Sequence, residues 1–499
     1  MILRAWKYRS FRARMGPQTE AKFGILITPM MLTRMAAAAV LFMFCAGITT
    51  AQPNTINPKI VQIVDQISEA RIRAIIERLQ AFGTRNTLSN ADDPEHGVGA
   101  AREWILREFQ SYSPRLQVRF DKFRVKKQGQ RIFKDVDLWN VLAVLPGTKM
   151  PETQVFVSAH YDSLNLGNRP ANTDAARLPQ LTPADFEKNA NLPAPGACDD
   201  ASGTAAVMEL ARVMSQYEFD KTLVFVSFAG EEQGLVGSTL ESAKLKKDGQ
   251  VIEAVLNNDI IGTDHSGSGR FGNGAVNIYS DDRMDSLNQQ LSRYVKEIGE
   301  RYLPAFEVNT IFAQDRLGRG GDHTPFQLEG FAAVRVSTPN EIYANQHHDT
   351  DLLENMSVPY TARVARLNAA VAASLALAPK PPLVMRMPRP SANSSLTARP
   401  TPPRPTPMIS RGSGYDAVLE WKPDGREDDI QGYVVVMRST NAPYWEKEIY
   451  AGKVTKITLK DVSIDDVKFG VKAIGSGGES LVSAYVYPPR AKAEYETEP

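Results

Sequence analysis

Between about residues 60 and 378 the chain alternates short apolar runs with stretches of helical periodicity. The runs at 137–145 (DLWNVLAVL), 153–159 (TQVFVSA), 221–228 (KTLVFVSF) and 254–261 (AVLNNDII) have strand length. They are continuously apolar rather than alternating, which predicts strands buried on both faces. Stretches 63–82, 101–112 and 201–216 place apolar residues at helical spacing and predict helices. Strands of this kind alternating with helices predict an α/β fold, a mainly parallel mixed sheet sandwiched by helices. In such sheets the site lies beyond the carboxyl ends of the strands, so the residues that follow each run are where chemistry is expected.

Two changes of pattern divide the rest of the chain. Residues 379–408 are dense in proline (PKPPLVMRMPRP and onward), which predicts an extended linker. Residues 409–490 then read as strands only, with Ala417, Leu419 and Trp421 on one face and Tyr433, Val435 and Met437 on another. Short strands with glycine and aspartate turns predict a small all-β sandwich. The Trp421 strand, the Tyr433 strand and the FGVKAIGSGGES run are similar to a fibronectin type III domain. The expected division is therefore 1–51, 58–378, 379–408 and 409–490.

Residues 1–51 do not belong to the folded pattern. Several basic residues (Arg4, Lys7, Arg9, Arg12, Arg14, Lys22, Arg34) precede an apolar run at 35–48, and Thr49, Thr50 and Ala51 follow. That order predicts a signal peptide cleaved after Ala51, with Met30, Met31 or Met35 as alternative starts. The apolar run is short for a bilayer span, so an uncleaved anchor is the weaker reading and no stable membrane insertion is expected after cleavage. A secreted or periplasmic location follows. Of the two cysteines, Cys45 and Cys198, cleavage leaves only Cys198, so no internal disulfide is expected. The net charge of +1 and the 23% charged residues give no sign of a nucleic-acid partner.

Five segments each place a metal-type ligand at a strand end or in a loop. His160 and Asp162 follow the first zinc-type run (SAHYDS), and a carboxylate two residues on can hold the other ring nitrogen of a histidine ligand. Asp199 and Asp200 lie in PGACDDASG at the opening of a helix, where acids also serve as caps. Glu231 and Glu232 sit between glycines in AGEEQG, after a buried strand. Asp259 lies in NNDIIG; an acid there needs either a cation or a base beside it. His347 and His348 come late, in HHDTD. Each segment alone is weak.

In this order, with DLLENMS after the last histidine and WNVLAVLPG before the first, they resemble the M28-type zinc aminopeptidases. The resemblance spans roughly residues 60–378. It implies two zinc ions, with His160 and Asp259 on one, Glu232 and His347 on the other, and Asp199 bridging both. It implies that Asp162 orients the His160 ring, that Glu231 is the general base, and that the Asp199–Asp200 peptide is cis. His347 is preferred over His348 because the family spacing then places Asp351 four residues on. Gln346 stands where many members have tyrosine. Asp322 and His323, in GDHTPF, are similar to a segment that lines the family's site and are candidate substrate contacts; a surface turn is the plainer alternative. Cys198 is expected to be a small buried residue, and His96 and His265 to lie at the surface.

The function implied is hydrolysis of the N-terminal peptide bond of peptide or protein substrates, through a zinc-bridging hydroxide and a glutamate base. A carboxypeptidase, or an M28-like peptidase of other specificity, is the alternative, because loops rather than the metal centre decide which chain end enters. A metal-free binding protein that works through its sandwich domain would have no use for the full ligand set.

Overall fold

Proline in the first turn and an Asn57 cap start helix α1 (Pro58–Asp65), where Asn57 Oδ1 accepts from the Lys59 N–H at 3.0 Å. The computed structural model that shows this describes residues 56–167, 180–387, 405–425 and 427–487. The expected signal peptide and the middle of the Pro-rich stretch lie outside the described residues. The single helix expected at 63–82 is two. Ser68 caps α2 (Glu69–Gln80), accepting from the Arg71 N–H at 3.3 Å, and its own N–H donates to Glu209 Oε1 at 2.8 Å. With that donor turned to a side chain, α1 cannot run on through Ser68. Helix α3 (Gly97–Tyr112) begins ahead of the expected 101.

Eight strands form the main sheet: β1 (Gln117–Val125), β2 (Val136–Leu145), β3 (Met150–His160), β4 (Lys221–Phe228), β5 (Val251–Asn258), β6 (Ala275–Tyr279), β7 (Glu307–Ile311) and β8 (Ala333–Ser337). Their order is β1-β2-β4-β3-β5-β8-β6-β7. The central run β4-β3-β5-β8 is parallel; on one flank β1 and β2 join antiparallel, and on the other β6 joins β8 antiparallel and pairs parallel with β7. The sheet is thus mixed and parallel at its centre, as the apolar runs predict. All eight residues of β4 are buried. On β3, Val155, Val157 and Ala159 join the larger core and Phe156 joins the smaller one on the opposite face. That two-sided burial is why these strands read as unbroken apolar runs.

The remaining helices are α4 (Pro183–Asn189), α5 (Ser202–Met214), α6 (Val236–Lys247), α7 (Leu287–Tyr302), α8 (His323–Leu328) and α9 (Val358–Leu377). The larger core takes residues from α1, α2, α3, α5, α7 and α9; Leu245 of α6 and Phe326 of α8 pack in the smaller one. No helix among the described residues is long and apolar enough to cross a membrane.

After α9, residues 385–484 form small antiparallel sheets. Both flanks of the Pro-rich stretch are built into them rather than left as linker. Strand β9 (Met385–Arg386) pairs with β10 (Thr406–Pro407), and Val384 and Met408 are buried in the all-β core. Strands β11 (Ile409–Arg411), β12 (Ala417–Glu420), β13 (Ile430–Ser439), β14 (Lys447–Gly452), β15 (Lys456–Leu459) and β16 (Val467–Gly475) make the rest, with two short pieces at Gly478–Glu479 and Ser483–Ala484. The order is β11-β12-β15 in one sheet and β14-β13-β16 in the other. Trp421 and Tyr433 meet between them with ring centroids 5.4 Å apart. The two faces expected from alternation are the two buried faces.

The β sheets and the α/β layer belong to one compact unit. Helix α7 joins them. Arg438 on β13 donates to both oxygens of Asp285 at 2.8 Å, and Lys472 on β16 reaches Glu297 of α7 at 3.1 Å.

Candidate metal centre

Three neighbouring parallel strands deliver the first residues. His160 is the last residue of β3 and pairs in register with Phe228, the last of β4. Glu231 and Glu232 therefore follow just beyond that level, in the loop opening α6. The run expected as strand 254–261 ends at Asn258; Ile260 has φ 57°, so the chain turns out of the sheet at Asp259. Asp199 and Asp200 lie in the turn Ala197–Ala201 ahead of α5, and the peptide between them is cis. His347 comes from the loop that follows β8, with φ 59°.

These residues converge as two overlapping groups, His160–Asp199–Asp259 and Asp199–Glu232–His347. Asp199 belongs to both, and its two oxygens face different ways. Oδ1 lies 3.1 Å from His160 Nε2, and Oδ2 lies 3.3 Å from His347 Nε2. Glu232 Oε1 is 3.1 Å from His347 Nε2, and Asp259 Oδ1 is 3.9 Å from His160 Nε2. His348 is in neither group.

The donors suit a divalent ion such as zinc. Both histidines turn a ring nitrogen toward carboxylate oxygens, the mixed set that zinc takes. Glu232 Oε1 is buried with no hydrogen-bond donor. Burial alone would lower the pKa of each imidazole. The carboxylates of Asp162 and Asp199 outweigh it at His160, and those of Glu232 and Asp199 outweigh it at His347, so both are raised well above the ordinary value. The cage favours positive charge at its centre, which bound cations satisfy.

The outer residues hold this cage, and here the structure corrects two expectations. His160 Nδ1 bonds to the backbone carbonyl of Asp162 at 3.1 Å, while the nearest carboxylate oxygen of Asp162 is 3.6 Å away. That carboxylate instead accepts from the backbone N–H groups of Glu231 and Glu232, each at 3.2 Å. Asp162 orients the ring through its main chain and fixes the paired-glutamate loop through its side chain. The second correction concerns Asp322 and His323. Both are fully buried, so the surface-turn alternative does not hold. His323 Nε2 lies 2.8 Å from the Gln314 carbonyl, and burial raises the Asp322 pKa to about 7.

The contacts of four buried residues around the centre escape the sequence reading. Asp200, buried, accepts from the backbone N–H groups of His160 (3.3 Å), Gly203 (2.9 Å) and Ile260 (3.2 Å), tying two strand ends to α5. Asp351 accepts from the Cys198 and Asp199 N–H groups, both at 2.9 Å, and so sets the bridging residue; burial raises its pKa to about 7. Arg85 donates to the carbonyls of Tyr161 (2.7 Å), Pro195 (2.6 Å) and Gly196 (2.8 Å), joining the His160 and Asp199 loops. Burial lowers its pKa to about 10. Arg335 pairs with Asp259 at 2.9 Å. A signal existed for Arg335, a lone cation inside the apolar run AAVRVS that has to find a buried partner. Arg85, in an aperiodic stretch, carried none.

Glu231 is in neither metal group. It is half-buried beside the buried Glu232, and burial, with Asp259 and Glu232 close by, raises its pKa well above the usual carboxylate range. Gln346 donates to Glu341 at 2.6 Å, and Tyr343 is largely exposed. Cys198 is buried, His96 is exposed and His265 half-exposed.

Residues 140–372 match peptidase family M28. A probable zinc metalloprotease of Pyricularia oryzae is 34% identical over 459 residues, covering 85% of this chain and 83% of that one. A probable zinc metalloprotease of Leptosphaeria maculans is 32% identical over 461 residues, covering 86% of this chain and 97% of that one. Among solved structures, LapB from Legionella pneumophila is similar at 20% identity and a TM-score of 0.48, over 68% of this chain and 81% of that one.

Proposed function

The chain belongs to peptidase family M28, the zinc metallopeptidases that cut peptide or protein substrates, and from that premise we propose that it is a secreted aminopeptidase working with two zinc ions. The observation that carries the two-ion reading is Asp199, whose two oxygens serve separate histidine groups. His160 and Asp259 would hold one ion and Glu232 and His347 the other, with Asp199 shared. Bound zinc supplies Lewis acidity, polarising the scissile carbonyl and lowering the pKa of water towards ~7.

The chain's own residues do the rest. Glu231 stands outside both groups, with its backbone held by Asp162, and in this reading its carboxylate takes a proton from water and hands it to the leaving amine. Asp162, Asp200, Asp351 and Arg85 hold the loops in place before substrate arrives, so little reorganisation is left for the reaction.

Charge supports entry of the amino end. Glu231, which holds no metal in this reading, offers a carboxylate to a substrate ammonium. Four of the cations nearby are already engaged: Arg85 with carbonyls, Arg335 with Asp259 and Asp315, and Arg316 and Arg319 with Glu341. A substrate carboxylate finds no such partner among these four. The small β sheets are proposed to be a fibronectin type III-like domain, and secretion rests on the 1–51 pattern.

Hydrolysis of one peptide in free and N-acetylated form, with and without a chelator, tests the reading. Chelator-sensitive cleavage of the free form alone is expected. Equal cleavage of the acetylated form would overturn aminopeptidase selectivity, and activity indifferent to chelators would overturn the metal centre.

A further inference from the structure

Asp259 carries a second attachment that the metal groups do not require. Arg335 lies in β8, with its Cα partnered to Asn257 of β5 on one side and Tyr279 of β6 on the other. Its side chain is buried, and its Nη2 is 2.9 Å from Asp259 Oδ1, the oxygen that also faces His160. The other end of the guanidinium is anchored independently: Nη1 is 2.5 Å from Asp315 Oδ2 and donates to the Gly320 carbonyl at 2.6 Å. Both partners come from the loop between β7 and α8. Gly321 closes the pocket, where a Cβ would come within 3.0 Å of Asp259 Oδ2. Burial would lower the pKa of Arg335, but Asp259 and Asp315 outweigh it and hold the guanidinium as a fixed cation.

The loop is itself tied to the other metal group. Asp315 Oδ1 accepts from Arg316 Nε at 3.0 Å, Arg316 pairs with Glu341, and Glu341 accepts from Gln346, the neighbour of His347. A chain of alternating charge therefore runs from Asp259 round to the His347 loop.

We propose that Arg335 is the positioning residue of Asp259, and that the Arg335–Asp315 pair makes the His160–Asp199–Asp259 group dependent on the loop between β7 and α8. A planar guanidinium held at both ends fixes the carboxylate orientation of Asp259 more firmly than packing alone. A merely structural ion pair could stand anywhere in the core. This one shares an oxygen with the ligand set, so its loss acts on one group and spares the other.

The inference rests on the two-group reading, and stepwise zinc binding to the full-length, metal-stripped protein, against a competing chromogenic chelator, separates the two. His160→Ala identifies the step that belongs to the His160 group. Arg335→Gln is expected to weaken that same step roughly 10-fold or more, the usual cost of losing an outer partner of a ligand, and to leave the other step unchanged. Arg335→Lys, which keeps the charge, is expected to restore part of it. Should Arg335→Gln fail to fold, Asp315→Asn decides: it keeps Arg335 and Asp259 and is expected to weaken the same step by a smaller factor. A folded variant that binds zinc in both steps like the parent, or that loses both steps equally, overturns the role of Arg335. A parent protein without two steps overturns the two-group reading and this inference with it.

Discussion

The metal centre and the junction between α7 and the β sheets both bury acidic side chains, yet they resolve them differently. At the junction every such acid has a cation. Asp285 faces Arg438 and Arg293, and Lys472 faces Glu297, Glu448 and Glu479 at 2.6–3.1 Å. At the centre, Asp199 and Glu232 face only histidines, and their carboxylates raise those histidines toward the charged form. A buried acid is therefore no sign of chemistry in itself. What distinguishes the centre is a set of carboxylates that converge without lysine or arginine enough to balance them, so that the balance has to come from bound ions.

The sharpest way to break that comparison is to remove charge at the centre. Asp199→Ala is expected to abolish metal binding and turnover, measured as zinc content and kcat. Glu231→Gln should keep the zinc content of the parent while kcat falls by about 10²–10⁴-fold, the range of a lost general base. Zinc lost from the second variant would move Glu231 into the ligand set.

At the junction the same kind of change should cost stability and leave the chemistry intact. Arg438→Met strips Asp285 of its bidentate partner, and a loss of about 3 kcal/mol in unfolding free energy is expected. Zinc content and kcat per folded molecule should not change. A fall in kcat with stability preserved would mean that the β sheets act on the site rather than on the fold.

A third case, read through pH rather than through a lost partner, is an acid with neither a metal group nor a full ion pair. Burial, with Asp121 nearby, raises the Glu241 pKa to about 7, although Lys244 stands 3.7 Å away. The folded value lies above the unfolded one, so the unfolded chain releases this proton first as pH rises. Between about pH 4.5 and 7 the contribution of Glu241 to stability therefore falls, by up to roughly 3 kcal/mol. Glu241→Gln should flatten that segment of the stability–pH curve, read by denaturant unfolding at pH 5 and pH 8. An unchanged curve would show that Lys244 and Asn140 already compensate the charge.

Strand cores and metal-type residues were legible along the chain for a common reason. Strands buried on both faces leave unbroken apolar runs, and residues at their carboxyl ends lie next to those runs in sequence. His160, Glu232 and Asp259 were visible on that ground; Asp199, in the turn that opens α5, was visible through the order of the motifs. The break before Ser68 was not, because it depends on Glu209, a residue remote in sequence. The burial of Asp322 and His323 was equally hidden, since GDHTPF has the composition of a surface turn while the fold turns both side chains inward.

By itself the sequence determined the α/β layer, the all-β pattern that follows it, the family and the residue types of the centre, because periodicity and motif order are properties of the chain. Only the tertiary structure decided which oxygen of Asp199 serves which histidine, that Asp162 works through its carbonyl on the ring and its carboxylate on the glutamate loop, and that Arg335 stands behind Asp259. Those are statements about atoms a few ångströms apart on segments far apart in sequence, and only packing brings such segments together.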